Sequence, residues 1–388
     1  MSNGMSTATA FTLHTSFSPL LPLYRTFLLD QFGVIHNGSQ SLHGAVDCIE
    51  LMSKQQRKMA ILSNTSSPSH VAKKRLVKYG LREDLFEGGL VSSGEECAKY
   101  IRQHYCDGGD GGSRRKKALW FTWKESEKQN PMQFLTHCEG YGGQTSNEAV
   151  IDIATSVDDA DFILLHGSEV WRKGRDIDSS SSSNKDDSDV IVDLKFLYDE
   201  DYTVVDNLLQ EAADKDLPMV CANPDLIVGL PNGVVGNMPG KIADRYEQLM
   251  GKVHHFGKPN PRHFHSCLEN LGMKFDVNNS KISGVAHVGD SLHHDVAGAN
   301  AAGIDSIFVL GGIHAKELGL SATGSDEHSG IVIVDSIGSV SEREVEGRSY
   351  VTKAELIPKL NAMFENTGIY PTHVVPSLSL GSVDEMKR

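Results

Sequence analysis

Short apolar runs that stop at a polar residue recur along the chain. TFLL ends at Asp30, KMAIL at Ser63 and Asn64, and ISGVAHVG at Asp290. Helix-patterned stretches follow them: GAVDCIELMSKQQ, SPSHVAKKRLVKYG and HHDVAGANAAG. Runs this short, rich in β-branched and aromatic residues, predict buried strands, and the spacing between them predicts amphipathic helices. Strand–helix alternation of this kind predicts parallel βαβ units, hence an α/β fold with a doubly wound parallel sheet. The middle of the chain has a different texture. CDGGDGGSRRKK around residues 106–117 and the serine-rich tract within 176–189 are too polar to pack and read as loops. Between them KALWFTW and DADFILLHGSEVW predict further strands, and from about residue 252 the clean alternation returns with VHHFGK, PRHFHSCLENLG and IDSIFVLGG. The expectation is a core interrupted by a long insertion. Near the end, YPTHVVPSLSL predicts a last edge strand of that core.

Composition narrows the classes. A chain of 388 residues exceeds one typical core, so two domains are expected. The net charge of −14 argues against non-specific binding to nucleic acid or to anionic membranes. No apolar run approaches the ~20 residues that span a bilayer. The six cysteines are scattered without a CxxC pair, which fits reduced thiols and a cytoplasmic protein rather than a disulfide framework or zinc site. The first twenty-nine residues contain Arg25 but no acid, a faint organelle-targeting composition; a short ragged terminus is the preferred expectation. The sequence leaves a homo-oligomer open.

The polar residues at the strand ends carry the chemistry. Ligands of open parallel sheets bind at the carboxyl edge, so Asp30, Ser63 and Asp290 are candidates for one site. Taken singly, Ser63 and Asn64 also suit a helix N-cap, and Asp295 suits a helix start. Lys258, between Gly257 and Pro259, could neutralise an anion at that edge. Asp30 and Asp290 would repel each other unless a cation lay between them. Carboxylates, a backbone carbonyl and water make an oxygen-only site suited to Mg²⁺.

The pieces Asp30-Gln-Phe-Gly-Val, Ser63-Asn64, Lys258-Pro-Asn-Pro and Gly289-Asp290-Ser-Leu-His-His-Asp295 resemble, in order and context, the motifs of the haloacid dehalogenase (HAD) superfamily. The long insertion resembles the α/β cap of the class IIA phosphatases, the NagD, nitrophenyl-phosphatase and pyridoxal-phosphate phosphatase types. CANPD, Cys221 to Asp225, resembles the Asn-Pro-Asp junction of that class. The resemblance implies a Rossmann-like core over residues 12–92 and 225–388, with the cap over 93–224. It implies Asp30 as nucleophile, forming an aspartyl-phosphate, and Mg²⁺ held by Asp30, the Phe32 backbone carbonyl and Asp290, with Asp295 acting through water. Ser63 and Lys258 would act on the phosphoryl group, and Asn64, Asn223 and Asp225 would join them in binding substrate, a small phosphorylated metabolite.

Phe32 departs from the family pattern, which usually has an acid–base Asp at that position. A phenyl ring can neither give nor take a proton, and such help is worth ~10²–10⁴-fold. The expected function is therefore a Mg²⁺-dependent phosphatase of weakened activity. The alternative is an impaired member that binds Mg²⁺ and a phosphorylated ligand.

Overall fold

A computed structural model of the chain describes residues 11–106, 115–126, 130–139, 151–174, 190–229, 234–276, 281–324, 330–335 and 348–381. The serine-rich tract, and most of the glycine-rich stretch after residue 106, lie outside the described residues. The chain forms two compact units, one made of Met1–Ser63, Lys73–Val91 and Lys258–Arg388, the other of Asn64–Ala72 and Ser92–Gly257.

The first unit is built on a seven-stranded sheet. Its order is Thr12–Leu13, His373–Val375, Asp305–Val309, Val285–Gly289, Thr26–Leu29, Lys58–Ser63 and Leu90–Ser92. All four residues of TFLL and all five of VAHVG are buried. Near-continuous burial is what a parallel strand covered on both faces requires. Leu28, Ala60 and Leu62 pack against Phe264 and Leu268 of the helix Pro261–Asn270. From Thr26–Leu29 the chain adds strands first on one side and later, through Val285–Gly289, on the other. The order therefore reverses between these two strands, and the loops leaving their carboxyl ends diverge to leave a crevice.

Two expectations at the termini are corrected. Residues 11–24 are not ragged: Thr12–Leu13 pairs in parallel with His373–Val375, and Phe17, Leu20, Leu21 and Tyr24 are buried. That pairing also moves His373–Val375, expected at the edge, one strand inward.

The second unit carries its own sheet, ordered Val253–His255, Met219–Cys221, Phe162–Leu165, Lys117–Thr122, Val170–Lys173 and Val190–Asp193, with Asp152–Ile153 also beside Lys117–Thr122. KALWFTW forms one strand as expected, and DADFILLHGSEVW forms two. The expected exit from the insertion at residue 225 falls inside this unit. Val253–His255, read from the sequence as core, pairs with Met219–Cys221, and the helix Pro239–Gln248 buries Ile242, Ala243 and Tyr246 in the second unit's own core. The second unit thus ends at Gly257, immediately before Lys258. Among the described residues, no helix is long and apolar enough to cross a membrane.

Candidate active site

The two strands at the reversal each end in an acid. Asp30 follows Leu29, and its N–H donates to the Val288 carbonyl at 2.9 Å, which locks it beside the end of the strand that delivers Asp290. Asp295 comes from the first turn of the helical segment Leu292–Val296, whose start Ser291 caps by accepting from the His294 N–H. Asp30, Asp290 and Asp295 are all buried, and one carboxylate oxygen of each lies within 4.8 Å of the others. At such a separation two like charges repel by roughly 3–4 kcal/mol even at an effective dielectric of about 20.

Lys258 enters this cluster with its side chain 3% exposed. Its Nζ lies 2.7 Å from Asp30 Oδ1 and 2.7 Å from Asp295 Oδ1. The same Asp295 oxygen is 2.7 Å from His287 Nε2, and Asp295 Oδ2 accepts the Ser291 N–H at 3.0 Å. The carboxylate placed by the sequence as the holder of a metal-bound water is thus also the anchor of the lysine. Asp290 Oδ2 accepts the Ile313 N–H at 2.8 Å. Two glycines make room for it: a Cβ on Gly33 would come within 2.0 Å of Asp290 Oδ2, and one on Gly312 within 2.1 Å. Gly33 also has φ +78°, where a side chain is strained in any case.

The protonation preferences follow. Burial, opposed by Lys258 and reinforced by Asp295, pushes Asp30 up to about 7. Burial and the charges of Asp30 and Asp295 push Asp290 well above the carboxylate range. For Asp295, burial is overcome by the Lys258 charge and the His287 hydrogen bond, which hold it well below that range. Lys258, despite burial, is held in its charged form by Asp295 and Asp30. With all three carboxylates ionised, one ammonium would leave two negative charges uncompensated in a buried space, which is why Asp30 and Asp290 hold their protons in the metal-free site. A divalent cation supplies that charge, and an all-oxygen donor set is what Mg²⁺ takes, so the residues present fit this ion.

Ser63, the buried last residue of its strand, stands at the same edge of the sheet as Asp30. It does not cap a helix, because the next helix begins only at Ser69, whose N–H donates to Glu95 Oε2. Asn64, Asn223 and Asp225 form a separate group in the second unit. Asn64 Nδ2 donates to Asp225 Oδ1 at 2.8 Å, and the Asp225 N–H donates to Asn223 Oδ1 at 3.0 Å. These hydrogen bonds hold the chain around the Asn-Pro-Asp turn.

Phe32 is half-buried. Its ring meets His36 edge-on at 5.9 Å and touches the place a Cβ on Gly38 would occupy. His36 stacks on Tyr79 at 4.1 Å and accepts the Gly38 N–H, and burial together with Arg75 lowers it to about 4. Stacked and hydrogen-bonded in this way, it pins the loop.

Sequence reasoning missed His287, Gly312 and the Ile313 N–H. His287 carried a signal, as the lone polar residue in an otherwise apolar strand. It is fully buried.

Comparison with known proteins agrees with this architecture. The profile described as haloacid dehalogenase-like hydrolase matches residues 27–129, and one described as HAD-hydrolase-like matches residues 255–339. No curated protein sequence matches the chain. Among solved structures, a possible sugar phosphatase of the HAD superfamily from Cytophaga hutchinsonii superposes with a TM-score of 0.58 at 17% identity, covering 96% of this chain and 100% of its own. A haloacid dehalogenase-like hydrolase from Brucella suis gives 0.56 at 19% identity, with 87% and 98% covered. A p-nitrophenyl phosphatase from Archaeoglobus fulgidus gives 0.53 at 18% identity, with 92% and 98% covered. At these identities the likeness is one of fold, and it includes the inserted second unit. The two profile matches contain Asp30, Ser63, Lys258, Asp290 and Asp295, so the residues of the candidate site fall within the segments that resemble haloacid dehalogenase-like hydrolases.

Proposed function

We propose that the protein is a Mg²⁺-dependent phosphatase of a small phosphorylated metabolite, working through an aspartyl-phosphate on Asp30. The observation that carries this reading is the buried Asp30–Asp290–Asp295 cluster, bridged by Lys258 at the reversal point of the sheet. Two of the structural neighbours bear phosphatase in their names, which supports the same reaction class. Asp30, Asp290 and the Phe32 carbonyl would hold the ion, with Asp295 acting through water. Bound there, Mg²⁺ would offset the carboxylate charge and orient the phosphoryl oxygens.

The chain's own residues do the rest. The Asp30 carboxylate attacks phosphorus in line, and the bond to the leaving oxygen breaks. That oxygen keeps the electron pair and takes a proton from water, because Phe32 has none to give. A water molecule then attacks phosphorus, loses a proton to solvent, and releases phosphate with the Asp30 carboxylate restored. Splitting one displacement into two is the gain of a covalent route. Lys258 reduces the repulsion between Asp30 and the dianionic substrate, and Asp295 with His287 keeps that ammonium in place. Ser63 donates to a phosphoryl oxygen.

A second reading is favoured by Phe32 itself: a protein that binds Mg²⁺ and a phosphorylated ligand with little turnover. Phosphate release from a panel of sugar, nucleotide and cofactor phosphates, with and without Mg²⁺, separates the two. Asp30→Asn should abolish release while retaining fold. Turnover surviving in Asp30→Asn would contradict the covalent route, and Mg²⁺-dependent ligand binding without any release would favour the second reading.

A further inference from the structure

The described cavity of this protein lies at the opposite edge of the core sheet from the acids. It has a volume of about 900 Å³ and is lined by Arg25, Arg57, Lys58, Gln55, Gln56 and Ser283 among others. Thr26, Lys58 and Val285 pair side by side at the amino ends of three neighbouring strands, so the pocket mouth sits where these strands begin. Asp30 lies four residues further along, roughly 13 Å at the usual strand rise.

The charge at this place runs against that of the whole chain. In a protein of net charge −14, the lining holds three cations and, among the described residues, no Asp or Glu. Neither Arg25 nor Arg57 makes a side-chain hydrogen bond or ion pair with a described residue, and Arg57 Nε is buried without an acceptor. Lys58 Nζ donates to the Leu271 carbonyl at 3.1 Å and makes no ion pair with a described residue. Arg25 and Lys58 are exposed and Arg57 is half-buried, so their cationic heads are open to an anion from solvent. The turn that presents Gln55 and Arg57 also holds Gln56 at φ +57°, an unfavourable conformation for a non-glycine residue.

We infer that this pocket is a binding site for a small, multiply phosphorylated anion, separate from the acid cluster. Guanidinium forks match phosphate oxygens in pairs, and three cations call for more than one phosphoryl group. The volume is that of a small-molecule site. No aromatic ring lines it, so it offers no platform for stacking a nucleobase. The ligand is therefore a bisphosphate or polyphosphate recognised through its oxyanions. The inference does not depend on the proposed reaction.

Calorimetric titration with inorganic tripolyphosphate in EDTA tests it, since without a divalent cation the acid cluster has no metal through which to hold a phosphoryl group. The wild-type chain should bind one equivalent, and Arg25→Gln/Arg57→Gln should lose at least about tenfold in affinity while keeping its thermal midpoint. Asp290→Asn should bind as the wild type does. Equal affinity in the double variant, or loss confined to Asp290→Asn, overturns the site. Citrate binding as tightly at matched ionic strength overturns the preference for phosphate. A single-stranded oligonucleotide binding more tightly than tripolyphosphate, and losing that affinity in the double variant, overturns the small-molecule assignment.

Discussion

Asp290→Asn should make the metal-free protein more stable, by an amount that depends on pH. The asparagine keeps the size of the side chain and still accepts the Ile313 N–H through Oδ1. It removes the charge that Asp30 and Asp295 repel. In the wild-type chain Asp30 is pushed from 3.8 up to about 7, and Asp290 is pushed up as well. Below about pH 3 both groups are largely protonated in folded and unfolded chains alike, and neither affects stability. As pH rises, the unfolded chain releases protons that the folded chain retains. Each such group then weakens folding by about 1.4 kcal/mol per pH unit until its folded pKa is reached. Asp30 alone could account for an upper limit on the order of 4 kcal/mol at pH 7, and Asp290 adds a contribution of the same sign. The variant removes the Asp290 part. In EDTA the two proteins should therefore melt together near pH 3 and diverge toward pH 7, with Asp290→Asn ahead by at most about 3 kcal/mol, the repulsion of one carboxylate pair at this separation for an effective dielectric of about 20. That corresponds to roughly 5–10 °C for a domain of this size. Millimolar Mg²⁺ should raise the wild-type midpoint at pH 7 and leave the variant nearly unmoved. A difference that stays flat with pH, or a variant less stable than the wild type at pH 7 in EDTA, would refute the charge argument.

Other outcomes follow from the same geometry. Gly33→Ala should lower stability by about 2 kcal/mol through its left-handed φ and, by displacing Asp290, weaken Mg²⁺ binding at least about tenfold in calorimetry; unchanged affinity would mean that the glycine is merely a turn. His287→Leu takes a donor from the buried Asp295 and should cost about 1–3 kcal/mol in denaturant unfolding, with kcat falling more than KM rises. His287→Asn should recover part of that kcat, and an equal loss in both variants would reduce His287 to a packing residue. Phe32→Asp should speed hydrolysis of an alkyl phosphate by at most ~10²–10⁴-fold and of nitrophenyl phosphate by less; equal rates in a folded, Mg²⁺-binding variant would show that position 32 is not where the acid is missing.

The parts of this molecule that were legible in the sequence are those written locally. TFLL, KMAILS and VAHVG are buried on both faces, so their apolar runs announce strands, and the polar residue after each announces the sheet's carboxyl edge. What the sequence hid depends on partners far along the chain. Thr12–Leu13 is only two residues long and becomes a strand through His373–Val375. Val253–His255 has the same texture as a core strand, and only its pairing with Met219–Cys221 places it in the second sheet. Asp30, Asp290 and Asp295 were identifiable as acids near one edge. The roles of Gly33 and Gly312 were not, because the side chain they accommodate belongs to another segment.

The connectivity of the two units also sets an order in time. Most of the second unit is one uninterrupted stretch, Ser92–Gly257, so its sheet can close once that stretch has left the ribosome. The core cannot. Asp30 is synthesised early, but the strand carrying Asp290 comes only after the whole insertion, and Thr12 meets its partner His373 last of all. At about 5–20 residues per second, Thr26–Leu29 waits roughly ten to fifty seconds for Val285–Gly289. During that interval TFLL and KMAILS are apolar strands without the Val285–Gly289 strand that covers one flank. The inserted unit therefore matures first, and the half-made sheet is the stage at which this chain most needs protection from aggregation.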